Sequence, residues 1–317
     1  MAKEDFIPVT GDDWYERRRD DAEGKFFREV ADQGPRKGEG GSTRQGIYLL
    51  TADGKLLAYK NSQDASVMRE VLATGLKEWN KLPPDRRKPG AVKVEDLDKP
   101  DPRYSRTPPE GGLILTVYAR ILDTKEQDIL CKGNCDTPGG DRAARDHLWL
   151  TKGEWQSLIP AKPAKGDSFV VPEAVAERIL RFHLIDNTRG EPPMWTAKEI
   201  RSKRLMLRVE KADDDGVHLR LEGSALLVTH EDPAKADRGF DARMLGDVHY
   251  NAVKKTIERF DLAVLGDHWG AGTFTGGARP GRKPLGLFFE IAEGKTAAER
   301  VPPQGAREWN EYMGRNR

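Results

Sequence analysis

Cysteine is nearly absent. The chain holds two, Cys131 and Cys135, and none before them. That excludes a disulfide-rich scaffold and leaves the first 130 residues without a thiol. Long apolar runs are missing as well: no stretch approaches the roughly 20 residues of a membrane helix. The opening Met1–Phe6 carries no apolar segment of the signal-peptide kind. The expectation is a soluble protein, cytoplasmic by default, with export left open if the N-terminus has been trimmed. Net charge is also lacking, with 53 Lys and Arg against 52 Asp and Glu. No global basic field exists to hold nucleic acid or an anionic membrane. Two local basic runs, Arg17-Arg18-Arg19 and Arg86-Arg87-Lys88, have acidic neighbours and read as solvated faces. No phosphate loop, dinucleotide fingerprint, G-x-S-x-G elbow or H-E-x-x-H pair occurs, so the sequence specifies no cofactor.

What is present suits a folded chain in two parts. Of the 317 residues, 37% are apolar and 33% charged, enough for a sizeable core under a highly charged surface. Residues 82–112 are rich in proline and charge, with little to bury, and read as a linker or extended strap. They separate a small unit, 1–81, from a larger one, 113–317.

In the first unit, Phe6–Val9 suggests a short strand, and Phe26, Phe27 and Val30 lie at helical spacing. Ile47–Leu50 leads through Asp53-Gly54 into Leu56–Tyr59, a strong hairpin signal. Asp64 or Ser66 can cap a helix striped by Met68, Val71, Leu72, Leu76 and Trp79. This order, strand, helix, hairpin, helix, resembles the second half of a thioredoxin-like domain over residues 5–80. The resemblance implies a buried strand entering the D-G turn, an edge strand, and a helix packed across both. The family's first strand and its C-x-x-C are absent, and Thr43–Gly46 stands where it has a cis-proline. Two accounts stay open: a degenerate module kept as a scaffold, or a lost upstream segment, as when a selenocysteine codon is read as a stop.

The second unit is mostly strand. Leu113–Ile121, Leu205–Val209 and Val217–Leu227 alternate with period two, and Asp213–Gly216 turns between the last two. Residues 242–250, 257–265 and 284–292 are further strands. Two helices interrupt: Thr151-x-x-Glu154 is a capping box, and Pro172 opens a helix bearing Val175, Ile179 and Phe182. The fold class predicted is α+β: a partial thioredoxin-like unit, then a mainly antiparallel β domain, barrel or sandwich, with two helical insertions.

Several groups could carry chemistry. Residues 181–195 gather His183, Asp186, Arg189 and Glu191 among apolar residues. The segment reads either as an acid–base site or as a polar plug with Arg189 bonded to Asp186 or Glu191. His147, His249 and His268 could meet as metal ligands if strand ends converge. Cys131 and Cys135 could form a disulfide, a redox pair or a soft-metal dithiolate. The glycine-rich run 270–282, with Arg279 and Arg282, could cradle an anion or simply connect two strands. The leading expectation is a binding or scaffolding protein with an unknown protein or small-molecule partner. The alternative is an enzyme, or a redox or metal protein, with its site around His183.

Overall fold

The computed structural model describes residues 2–38, 42–62, 64–88, 99–122 and 143–314. The chain divides into two compact units, Met1–Arg106 and Thr107–Arg317.

The first unit runs α1 (Ala2–Asp5), α2 (Asp13–Glu16), α3 (Ala22–Ala31), β1 (Ile47–Leu50), β2 (Leu56–Lys60) and α4 (Ala65–Asn80). β1 and β2 form the expected antiparallel hairpin, with Tyr48 opposite Tyr59. Gly54 in the turn has φ +82°, a conformation glycine adopts without a Cβ penalty. Asp64 caps α4 by accepting from the backbone N–H groups of Ser66 and Val67. The strand expected over Phe6–Val9 does not form, and Ile7 and Val9 are exposed. Pro8 offers no ladder donor, and among the described residues no strand pairs with the segment, so its alternation has nothing to lie against. The basic run 17–19 is not simply solvated either. Arg19 is buried, bonded to Asp21 and close to Glu16 and Glu23.

Part of the expected linker belongs to this unit. Residues 84–87 form a single 3-10 turn, and residues 89–98 lie outside the described residues. Buried Asp101 accepts from the Asp20 N–H and from Arg103, and its own N–H donates to Asp21. Charge here fastens the strap instead of leaving it free.

The second unit contains β3 (Leu113–Ile121), β4 (Ala143–Leu150), α5 (Lys152–Gln156), β5 (Ser168–Val170), α6 (Glu173–His183), β6 (Ile200–Ala212), β7 (Gly216–Val228), β8 (Gly239–Asn251), β9 (Thr256–Trp269), β10 (Lys283–Ile291) and α7 (Trp309–Tyr312). The strands make one antiparallel sheet of eight, in the order β4-β3-β10-β9-β8-β7-β6-β5. It is a single sheet, not a sandwich of two, and β4 and β5 are its edges. Alternation decides its faces: Val217, Leu219 and Leu221 are buried on β7 while His218 and Glu222 are exposed. The buried faces of all the long strands join one core with Val175, Ile179 and Leu180 of α6. Each such side chain contributes roughly 1.5–3 kcal/mol on burial.

The two insertions are locked by one carboxylate. Glu154 completes the capping box with Thr151 and accepts a two-pronged ion pair from Arg178 of α6, at 2.9 and 2.6 Å. Arg178 also donates to the Trp149 carbonyl. A second cluster, Trp149, Phe182, Ala306 and Tyr312, seats residues 303–313 against β4 and α6.

Candidate binding site

One end of the large sheet collects three connections: 184–199 from α6 to β6, 229–238 from β7 to β8, and 270–282 from β9 to β10. Register brings them together, since Gly239 opposes Trp269 and Phe240 opposes His268.

Residues 184–195 close over this end. Trp195 is buried; its indole N–H donates to the Leu184 carbonyl at 2.7 Å, and its carbonyl accepts from Arg181 at 2.9 Å. Gly190 crosses the glycine-rich loop so closely that a Cβ there would lie 2.1 Å from the Phe274 carbonyl oxygen. Only glycine permits that approach, which continues as a single β-bridge from Glu191 to Phe274.

The ion pair of the plug reading is present. Arg189 Nε donates to Asp186 Oδ2 at 2.7 Å, and the Thr188 N–H and hydroxyl donate to Oδ1. The remaining Arg189 donors reach the carbonyls of Thr275, Gly276 and Gly270. Burial opposes ionisation of Asp186, but these hydrogen bonds and the Arg189 charge outweigh it and hold the carboxyl below its ordinary value. Glu191 lies apart from this pair and meets Arg307 in two contacts of 2.7 and 3.0 Å.

His183 does not join Asp186. It is fully buried at the end of α6, with Nε2 3.2 Å from the Tyr312 hydroxyl and Nδ1 3.3 Å from Asp146 Oδ2. The contact to Asp146 is not aligned as a hydrogen bond. The Tyr312 hydroxyl also accepts from the Trp149 N–H at 3.0 Å, and Asp146 accepts from the Gln304 N–H. Burial pushes the Tyr312 phenol far up, so it stays a neutral hydroxyl. Together these groups latch residues 303–313 onto β4 and α6.

The three metal candidates are not brought together. His268 sits at the loop end of β9, whereas His249 lies nine residues along β8 from Phe240, the residue opposite His268. At about 3.4 Å per residue that is about 30 Å. His249 instead stacks on His218 at 4.0 Å across the outer face. His147 lies on edge strand β4 beside Thr116 of β3. Among the described residues no group of three potential ligands is close enough to hold a metal. Cys131 and Cys135 lie outside the described residues.

Sequence reasoning missed what surrounds His268. Burial pushes its pKa down to about 4, opposed by Asp186 and reinforced by Arg189, Arg238 and Arg279. Arg238 is 5% exposed, lies 3.9 Å over the Trp195 ring and donates to the Pro193 carbonyl. The outer side of the same end holds a cleft of about 520 Å³ between the 229–238 and 270–282 connections. Trp269, Arg279, Arg282 and Asp237 supply its aromatic and charged lining. The only sequence trace of this arrangement was the glycine-and-arginine composition of residues 270–282. The register that seats Trp269 beside them depends on long-range pairing.

Comparison with family models, with curated proteins and with solved structures returns no significant match for this chain.

Proposed function

We propose that this chain is a binding protein, and that the large sheet serves as a rigid mount for a small-molecule site at its loop end. The observation that supports this is the cleft of about 520 Å³ beside Trp269, a volume in the ordinary range for small-molecule sites. Functional groups favour loops carried on a rigid scaffold, and here three connections converge on one end.

In this reading the first unit is a thiol-free scaffold. Its hairpin followed by α4 is compatible with the second half of a thioredoxin-like domain. Nothing in residues 1–106 could act as a redox thiol. Catalysis around His183 is the less favoured reading, because the ring is sealed from solvent and engaged with Tyr312 and Asp146.

The test is a thermal-shift screen of the full chain against a broad panel of acids, bases and neutral compounds, paired with Ala234→Trp. Ala234 is exposed and lines the cleft, so the indole would fill it. Compounds that stabilise the wild type and fail to stabilise the variant would support the reading. Compounds that shift both equally, or no hit of any class, would defeat it.

A further inference from the structure

We infer that the cleft beside Trp269 takes an oxyanion, a carboxylate or phosphate group on a small organic molecule, held by Arg282. The inference rests on the binding reading above and specifies the ligand's chemistry.

The argument begins with how Arg282 is held. Its guanidinium lies 4.1 Å over the Trp269 ring. Trp269 is itself fixed: its indole N–H donates to the Ala236 carbonyl at 2.9 Å. The ring packs over Gly239, where a Cβ would lie 2.1 Å from the indole. The stack is therefore Gly239, indole, guanidinium, with the outermost member facing the cleft. Stacking holds the guanidinium plane while leaving its edge donors unspent, and that fork matches the two oxygens of a carboxylate or phosphate. Among the described residues Arg282 has neither a carboxylate nor a carbonyl partner.

The second cation is built in. Arg279 donates to the carbonyls of Leu122 and Pro284 at 2.8 and 2.7 Å. These acceptors fix its position. Among the described residues the charged lining of the cleft is Asp237, Arg279 and Arg282. At the same strand ends lie Arg189, whose charge Asp186 balances, and Arg238, which donates to the Pro193 carbonyl. The walls between the charges are Pro233, Ala234, Ala278 and Pro280. A cleft of this size and lining has room for an organic body attached to the anion.

The test is calorimetric titration of the full chain with inorganic phosphate, phenyl phosphate and benzoate in separate arms. The expected result is saturable binding of at least one probe, strengthened by lowering the salt concentration. Phenyl phosphate or benzoate should exceed inorganic phosphate, and the arms separate a phosphate site from a carboxylate site. Arg282→Ala should weaken binding about tenfold or more. Arg282→Lys keeps the charge but loses the fork, and should weaken it by a smaller factor. If Arg282→Ala fails to fold, Arg282→Lys alone carries the comparison. No saturable binding of any probe up to ~10 mM would overturn the inference. So would binding equal to wild type in a folded Arg282 variant. If the wider screen yields neutral or basic ligands that Ala234→Trp blocks and Arg282→Ala leaves untouched, the oxyanion is wrong while the binding reading stands.

Discussion

Arg189 and Arg238 are buried at the same end of the sheet in opposite electrostatic situations. Arg189 has a carboxylate partner that is itself buried, so removing it leaves Asp186 charged and unpaired. Arg189→Met should cost about 3–5 kcal/mol. Among the described residues Arg238 meets a carbonyl and an aromatic face and has no carboxylate in ion-pair contact; burial lowers its pKa, and the charge of Glu199 opposes this without reversing it. Arg238→Met should change stability by about 1 kcal/mol or less, in either direction, because the desolvation cost disappears with the charge. Urea denaturation of the two variants checks the contrast; equal losses would show that Arg238 has a counter-charge. The Asp186–Arg189 pair was legible in the sequence, since both lie three residues apart in a segment that its apolar neighbours pull inward. The partners of His183 were not legible. Asp146 and Tyr312 lie far off in the chain, and only the docking of residues 303–313 on β4 and α6 brings them to the ring.

At the scale of elements, the long strands were readable because one face is buried and the other wet, which writes period two into the sequence. Edge strand β4 was not readable. Asp146, His147 and Trp149 are buried along with Leu148 and Leu150, so both faces are covered and the alternation vanishes. The Phe6–Val9 segment errs the other way, showing a strand-like pattern with no strand to pair. Residues 303–313, with the short helix α7, had no sequence signal, being too short for periodicity to declare itself. Their hold on the unit passes through the Tyr312 hydroxyl, which serves the Trp149 N–H and the His183 ring. Tyr312→Phe leaves both without that partner and should cost about 1–3 kcal/mol. Loss of protection at the Trp149 amide in hydrogen exchange would locate the effect; an unchanged melting temperature would show that another group holds the segment.

For the whole molecule, the two units should respond to acid in opposite senses. His268 has a folded-state pKa of about 4, below the ordinary histidine value. Its contribution to the stability of the second unit is complete above pH ~6.5 and is lost as pH falls toward 4. Glu16 is the reverse case: burial first, then Glu23, raises its pKa to about 7. Its contribution to the first unit is complete below pH ~4.5 and is lost as pH rises through 7. Calorimetry between pH 4 and 7.5 should show the contribution of each group vanish in His268→Gln and Glu16→Gln respectively; slopes unchanged in both variants would refute the assignment. The chain divides between residues 106 and 107, inside the stretch read as a linker, because Asp101 and Arg103 tie part of that stretch into the first unit. The strand order of the large sheet also dictates a sequence of events in time. From β5 to β10 every strand neighbours the one before it, so that portion can assemble as the chain folds back on itself. β3 and β4 come earlier in the chain, yet among the described strands β3 pairs with β4 and β10 alone. The β3–β4 hairpin must therefore wait with one edge bare until β10 is in place, and closing so long a loop is slow. Pulse-labelled exchange during refolding should find the amides of β7, β8 and β9 protected before those shared by β3 and β10, and simultaneous protection would show that the hairpin docks without waiting.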